Sequence, residues 1–114
     1  MHEMSLTESV VRILEGEAAR HGFSRVKLVR LEIGELSHVD PESILFCFGA
    51  VAGRSPLTSG AEMKIVRAPG QAHCLDCGDT VPLADRLAPC PRCGGARLVI
   101  TGGEEMRVKE MEVE

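Results

Sequence analysis

The chain has 114 residues, enough for one ordinary domain with a small appended module but too few for two full-sized cores. It contains three Phe and neither Trp nor Tyr, so we expect an aliphatic core and a second source of stability for part of the chain. The net charge of −4 argues against nucleic acid as a partner, and the absence of a readable signal peptide or membrane-spanning segment predicts a soluble cytoplasmic protein.

The first predicted element is a helix that begins near Ser5. Ser5 and Glu8, three residues later, have the pattern of a capping box, in which each side chain can accept a hydrogen bond from the other residue's backbone N–H. Gly22 can adopt the left-handed conformation that ends a helix. Apolar residues recur at helical spacing and predict one buried stripe, formed by Leu6, Val10, Val11, Ile13, Leu14 and Ala18.

Alternating apolar and charged residues predict three strands. The first begins at Arg25, and the second covers residues 62–68. The third follows Gly102 and Gly103, at residues 104–114. Its last apolar residues fall out of phase with its first ones, which predicts a bulge or fraying.

A second helix is predicted between the first two strands. Asp40 before Pro41 is typical of a helix start, with the carboxylate as cap and the proline at the first helical position. The helix is expected to run to about Ala52. Its long uncharged stretch predicts a buried helix in which Cys47 packs as a small hydrophobic side chain.

The segment between the second and third strands contains two CxxC pairs. They are twelve residues apart, a spacing that lets two turns of backbone close four thiolates into a tetrahedron around one ion. Gly78 and Gly94 follow the pairs, where a sharp turn favours glycine. We interpret the pairs as a structural zinc site, with iron or a redox dithiol as alternatives. The predicted ligands are Cys74, Cys77, Cys90 and Cys93.

The predicted fold class is α+β, with two helices on a three-stranded sheet and an inserted zinc-ribbon module. We place the α/β domain at residues 1–69 and 103–114 and the ribbon at residues 70–102. Four cysteine ligands leave no open position on the ion, and no nucleophile with a positioned base is readable. We therefore expect no enzymatic activity.

The amino terminus presents a second candidate metal site. Four nitrogens lie within reach of one small ion there, namely the amine of Met1, the backbone nitrogens of His2 and Glu3, and the imidazole of His2. A histidine near a terminus is more often only a mobile polar residue. The residues alone leave both interpretations open.

Three stretches of the sequence closely resemble the HypA/HybF family of nickel metallochaperones for [NiFe]-hydrogenase maturation. They are the opening MHEMSLTESV, the segment IGELSHVDPESILFCF and the two CxxC pairs ending in CPRCGG. The resemblance spans essentially the whole chain and implies a nickel-binding α/β domain with an inserted zinc ribbon. It implies that Met1, His2 and Glu3 bind Ni(II) as cargo and that the four cysteines bind structural Zn(II). Asp40 occupies a position that could supply a further oxygen ligand or serve only as a helix cap.

The resemblance also implies a function and partners. The protein is expected to be a non-enzymatic nickel carrier, monomeric or dimeric, that meets a nickel-handling GTPase and the [NiFe]-hydrogenase large subunit, with no nucleic acid and no membrane as partner. The alternative is a zinc-ribbon adaptor that binds other proteins and transfers no nickel. Nickel binding that depends on His2 would distinguish the two.

Overall fold

The computed structural model describes residues 2–114, which form two helices and two three-stranded sheets. The first sheet has the order β2-β1-β6 and the second has the order β4-β3-β5. The elements are α1 (Glu3–His21), β1 (Val26–Gly34), α2 (Pro41–Val51), β2 (Glu62–Ala68), β3 (Gln71–Cys74), β4 (Thr80–Pro82), β5 (Leu98–Gly102) and β6 (Met106–Val113). The predicted α+β fold class is confirmed, and the three predicted strands correspond to β1, β2 and β6.

Helix α1 begins two residues earlier than the sequence pattern predicted. His2 is the N-cap and makes no side-chain capping bond, while its carbonyl accepts a hydrogen bond from the Leu6 N–H at 2.9 Å. Ser5 lies inside the helix, where its carbonyl accepts a hydrogen bond from the Ser9 hydroxyl at 3.0 Å. The predicted capping box is therefore wrong. An acidic residue in the first turn, Glu3, favours the earlier start because it complements the positive end of the helix.

The far end and the buried face of α1 agree better with the prediction. Gly22 has φ of +78° and donates its N–H to the Ala18 carbonyl at 2.8 Å, so it ends the helix as predicted. Ile13, which the predicted stripe included, is 50% exposed. The residues of α1 that are buried are Thr7, Val10, Val11 and Leu14.

Helix α2 starts as predicted but is a surface helix. Pro41 occupies its first position, after the capping residue Asp40. One face is buried, through Ile44, Phe48 and Val51, while the opposite face exposes Leu45 and Phe46. The prediction of a buried helix is wrong for this outer face, because the helical period turns part of any uniformly apolar run toward solvent.

The strands of the first sheet show alternating buried and exposed side chains, as the sequence predicted. In β1 the side chains of Val29, Leu31 and Ile33 are fully buried. In β6 the half-buried positions are 106, 108 and 111, so the apolar residues change phase along the strand as the sequence indicated. Within residues 2–114 neither helix combines the length and the hydropathy needed to cross a membrane.

The contacts between Cα atoms divide the chain into two compact units. The first contains residues 2–31, Val39–Ile65 and Val108–Glu114. The second contains Glu32–His38 and Val66–Arg107, and so includes the whole segment with the CxxC pairs. Whether residues 70–102 form a domain apart from residues 1–69 and 103–114 stays a prediction.

The second unit has a small core that the sequence pattern did not reveal. β3 pairs antiparallel with both β4 and β5. Buried side chains alternate along these strands and form two clusters, one around Leu36, Ala72 and Leu83 and one around Cys74, Val81 and Cys90. Leu36 follows β1 in sequence and lies outside the cysteine segment, but its side chain is buried in the first cluster.

Candidate metal centres

The four predicted zinc ligands lie together. The sulfur atoms of Cys74, Cys77, Cys90 and Cys93 are all within 4.8 Å of one another. The Sγ atoms are 3.6 Å apart between Cys74 and Cys93 and 3.9 Å apart between Cys77 and Cys90. A tetrahedron with Zn–S bonds of about 2.3 Å has sulfur–sulfur edges of about 3.8 Å. The arrangement therefore fits one tetrahedral ion, and none of the four cysteines is in a disulfide.

Two backbone turns of the same design carry these cysteines. In the first, the Gly78 N–H donates to the Cys74 carbonyl at 2.8 Å, and in the second, the Gly94 N–H donates to the Cys90 carbonyl at 2.9 Å. Gly78 and Gly94 have φ of +81° and +74°, which explains why glycine stands at both positions.

Backbone N–H groups also point at the sulfur atoms of the second turn. The Arg92 N–H lies 3.4 Å from Cys90 Sγ, and the Gly95 N–H lies 3.3 Å from Cys93 Sγ. Such donors stabilise a thiolate and orient it toward an ion.

The thiols of the metal-free cluster differ in acidity. Backbone N–H groups, first that of Cys93, lower the pKa of Cys90 to about 7. The Gly95 N–H acts in the same direction on Cys93, but the neighbouring thiols and burial outweigh it and raise the pKa of Cys93 to about 12. The Asp79 N–H acts to lower the pKa of Cys77, but burial and the thiols of Cys74 and Cys90 outweigh it, so this pKa is raised as well. Four thiolates in one place repel each other, so all four stay deprotonated together only when a cation compensates their charge.

Two ion pairs join residues in and beside the two cysteine turns. Arg92 in the second turn contacts Asp79, just after the first turn, at 2.9 Å. Arg97 contacts Asp76, between the two cysteines of the first turn, at 2.7 Å, and the hydrogen bond from Arg97 lowers the pKa of Asp76. Both pairs are solvent-exposed, so they position the turns more than they stabilise the fold.

His73 is the histidine nearest in sequence to the cluster. It lies on β3 between two buried residues, Ala72 and Cys74, and is itself half-buried. Successive side chains of a strand point to opposite faces, so His73 faces away from the sulfur atoms. It is not among the residues that meet around the candidate ion.

The predicted nickel residues lie at the start of α1. Met1, whose amine is a predicted ligand, lies outside the described residues. His2 is exposed, and Glu3 is half-buried in the first turn.

A groove of about 470 Å³ lies between the start of α1 and the start of α2. We call it the amino-terminal groove. Asp40, the candidate oxygen ligand, lines it together with Glu3. Cys47 also lines it and is half-buried, so its predicted packing role holds for only part of its surface. The remaining lining residues are Met4, Glu42, Ser43 and Phe46.

Asp40 is a helix cap in this structure. One carboxylate oxygen accepts a hydrogen bond from the Glu42 N–H at 3.4 Å, and the other accepts one from the Ser43 hydroxyl at 2.8 Å. Its side chain remains exposed. The predicted capping role is confirmed, and the ligand role stays a prediction.

No second group of three or more side-chain ligands occurs among residues 2–114. The side chains of His2, Glu3 and Asp40 are therefore not assembled into a cage, and His21 and His38 do not join them. Among the described residues, this end of the chain therefore offers no preassembled set of three side-chain ligands. Sequence reasoning missed Met4, Glu42 and Phe46 as neighbours of the site, because only the packing of α1 against α2 brings them together.

Comparison with known families gives a match over nearly the whole chain. A family model described as hydrogenase/urease nickel incorporation, metallochaperone, hypA, matches residues 1–113. The hydrogenase maturation factor HypA of Rhodopseudomonas palustris strain TIE-1 is 54% identical over 114 residues, which is the full length of both chains. Hydrogenase maturation factor HypA 2 of Bradyrhizobium diazoefficiens is 52% identical over the same full length.

Solved structures give a similar result. The solution structure of the Ni metallochaperone HypA from Helicobacter pylori matches with a TM-score of 0.75 and 26% sequence identity. The match covers 99% of this chain and 97% of that one. A second solution structure, of a HypA protein, matches with a TM-score of 0.74 and 28% identity over 100% of this chain and 97% of the other.

Proposed function

The chain belongs to the HypA family of nickel-incorporation metallochaperones, and from this premise we propose that it binds Ni(II) at its amino terminus and delivers it during [NiFe]-hydrogenase maturation. The observation that carries the proposal is the full-length match, because residues 1–113 include both His2 and the four cysteines. The proposed nickel ligands are the amine of Met1, the backbone nitrogens of His2 and Glu3, and the His2 imidazole.

The position of these nitrogens in α1 supports the proposal. Among residues 2–114, the first i→i−4 hydrogen bond of the helix runs from the Leu6 N–H to the His2 carbonyl. The backbone nitrogens of His2 and Glu3 precede it, so their use as ligands costs the helix none of its internal hydrogen bonds. Ni(II) favours square-planar sets of nitrogen donors, which an amine, deprotonated amides and an imidazole provide.

The charge of the proposed nickel complex is compatible with its position at the start of α1. With two deprotonated amides the nickel complex is neutral, and with three it is anionic. The start of a helix carries a partial positive charge that stabilises negative groups. The helix end therefore disfavours a bare cation but accepts the amidate complex.

The exposure of His2 supports a carrier role. A metal held at an exposed terminus can be approached by another protein from several sides. A cage of buried ligands would hold nickel more tightly but would oppose release. We propose that the protein is a carrier and not an enzyme.

The four cysteines are proposed to bind a structural Zn(II). Their sulfur distances and the N–H groups that face sulfur fit this ion. When bound, zinc supplies folding energy to a unit whose apolar clusters are small. The chain holds the thiols in place through the two glycine turns and the Arg92–Asp79 and Arg97–Asp76 pairs.

The proposed partners are the nickel-handling GTPase of hydrogenase maturation and the [NiFe]-hydrogenase large subunit. We place the protein in the cytoplasm, where reducing conditions keep the four thiols available for zinc. The curated relatives named above are called hydrogenase maturation factors, which supports hydrogenase as the enzyme served.

A substitution at His2 tests the proposal against the adaptor alternative. Nickel titration of the zinc-loaded protein should show one site per chain that is lost in His2→Ala and retained in His21→Ala, a matched change at the exposed far end of α1. Zinc content should stay the same in both variants. Absence of a nickel site in the native chain would favour the adaptor.

A further inference from the structure

Thr7 is a polar residue in the buried stripe of α1. Its side chain is 0% exposed, and it shares this face of the helix with Val10, Val11 and Leu14. Valine has nearly the same shape as threonine and would fill the same space without a polar group that needs a hydrogen-bond partner. The packing of this face therefore does not account for the hydroxyl.

The Thr7 hydroxyl donates a hydrogen bond to the Glu3 carbonyl at 2.7 Å. In an α-helix this carbonyl already faces the Thr7 N–H, so the hydroxyl is a second donor to the same oxygen. A β-branched side chain has few rotamers in a helix, which keeps the hydroxyl on the carbonyl. Ser9 makes a bond of the same kind to the Ser5 carbonyl at 3.0 Å, but that bond is exposed and competes with water. The Thr7 bond thus fixes the first residue of α1, at a position where helices ordinarily fray.

Glu3 is also the last residue along the chain that supplies a proposed nickel ligand, its backbone nitrogen. Fixing the Glu3 carbonyl limits the motion of this nitrogen, because the two groups belong to the same residue. A ligand that is already in place when the metal arrives loses less conformational entropy on binding. The Thr7 hydroxyl should therefore strengthen nickel binding without contacting the metal.

A second hydrogen bond of the same turn acts on the same ligand. The Leu6 N–H donates to the His2 carbonyl at 2.9 Å. This carbonyl and the Glu3 nitrogen form one peptide group, so when the nitrogen binds Ni(II), its proton passes to solvent and negative charge spreads onto the carbonyl oxygen. A hydrogen bond to a charged oxygen is stronger than one to a neutral oxygen. The first turn must stay formed for the Leu6 N–H to keep this position, and the Thr7 bond stabilises that turn.

We propose that Thr7 is a positioning residue of the nickel site: its hydroxyl fixes the Glu3 carbonyl and so holds the first turn of α1 in the conformation in which the Glu3 nitrogen binds Ni(II). The inference rests on the proposed function, which makes that nitrogen a ligand. Thr7 is not itself a ligand, so its contribution is measured through the strength of nickel binding and the order of the turn.

The test compares Thr7→Val, which replaces the hydroxyl by a methyl group, with Thr7→Ser, which keeps the hydroxyl. Thr58→Val is the matched control, because Thr58 is also 0% exposed and its hydroxyl also donates to a backbone carbonyl at 2.7 Å, that of Ala52. Nickel titration of the zinc-loaded proteins should show an affinity weakened roughly three- to tenfold in Thr7→Val, the factor for one hydrogen bond of ordinary strength. The affinity should be nearly native in Thr7→Ser and in Thr58→Val.

Two further measurements separate positioning from a merely structural role. Urea unfolding should show lower stability in Thr58→Val, which loses a buried hydrogen bond, and in Thr7→Ser, which loses a buried methyl group, although both bind nickel normally. In the absence of nickel, amide hydrogen exchange at Leu6 should be faster in Thr7→Val than in the native chain or in Thr58→Val, because the first turn opens more often.

The outcomes distinguish failure of the positioning role from failure of the proposed function. Native-like nickel affinity in Thr7→Val, with loss of binding in His2→Ala, would overturn only the role of Thr7. An equal loss of affinity in Thr58→Val or in Thr7→Ser would also overturn it, as would unchanged hydrogen exchange at Leu6 in Thr7→Val. Absence of nickel binding in the native chain, or full binding in His2→Ala, would overturn the proposed function on which the inference rests.

Discussion

Both carboxylate oxygens of Asp40 accept hydrogen bonds at the start of α2, from the Glu42 N–H and the Ser43 hydroxyl. An asparagine can form much of the same cap but carries no charge, whereas an alanine can do neither. A comparison of Asp40→Asn with Asp40→Ala therefore separates the structural role of this side chain from a role as a metal ligand.

We predict that Asp40→Ala lowers the free energy of unfolding by about 1 kcal/mol and that Asp40→Asn changes it much less. Nickel affinity should be the same in the native chain and in Asp40→Asn, since the amine, amide and imidazole nitrogens complete the proposed set. Urea unfolding and nickel titration provide the two measurements. A large loss of nickel affinity in Asp40→Asn would make the carboxylate a ligand.

The second unit is organised around few apolar side chains. Leu36 is 3% exposed and packs with Ala72 and Leu83, although it lies outside the cysteine segment in sequence. The Arg86 guanidinium donates to the Leu36 carbonyl at 2.9 Å and contacts Glu104 at 2.5 Å, and so holds this turn in place. The turn after β1 is thus part of the core of the second unit.

Leu36→Ala should lower the stability of the second unit by about 2–5 kcal/mol, because the lost side chain leaves a cavity in a small cluster. Amide hydrogen exchange should show the loss across β3, β4 and β5, with zinc bound in both proteins. The matched control is Leu87→Ala, whose exposed side chain should have no effect. Unchanged exchange rates in Leu36→Ala would show that residues 70–102 fold without this turn.

The acidity of the thiols should make the proposed binding of zinc depend on pH. Each ligand must be a thiolate, and in the metal-free cluster Cys93, with a pKa of about 12, and Cys77, with a raised pKa, hold protons at neutral pH. Cys90, with a pKa of about 7, is partly ionised there. Protons compete with the ion at every pH below these pKa values, so zinc affinity falls as the pH falls.

We expect zinc loading near neutral pH to release several protons per chain and zinc affinity to rise steadily between about pH 6 and 8. Calorimetry in buffers of different ionisation enthalpy measures the number of protons. Release of fewer than two would indicate that thiolates exist before the metal binds, contrary to the mutual repulsion described above.

Across the chain, structural features that depend on a local pattern could be predicted from the sequence. The Asp40-Pro41 helix start, the Gly22 helix end and the cysteine turns each depend on residues close together in the chain, and each is present. The start of α1 could not be predicted correctly because two signals compete there. A capping box at Ser5 favours the later start and an acidic first turn favours the earlier one, and the sequence does not show which is stronger.

The surroundings of the candidate sites were less accessible to sequence reasoning. The role of Leu36 in the second unit and the meeting of Met4 with Phe46 at the amino-terminal groove arise from tertiary packing. In a uniformly apolar helix such as α2, the sequence does not indicate which face is buried. The exposure of Phe46 could therefore be found only from the structure.

We propose that the amino-terminal amine and the first two backbone amides bind nickel, and a short extension of the chain tests this proposal. Adding a few residues ahead of Met1 keeps every native side chain but converts the amine, whose ordinary pKa is about 7.7–8.0, into an amide. Nickel titration should show strong loss of affinity and of the square-planar Ni(II) absorption band in the extended chain, with zinc content unchanged. An extended chain that binds nickel as tightly as the native one, with the same band, would contradict the account.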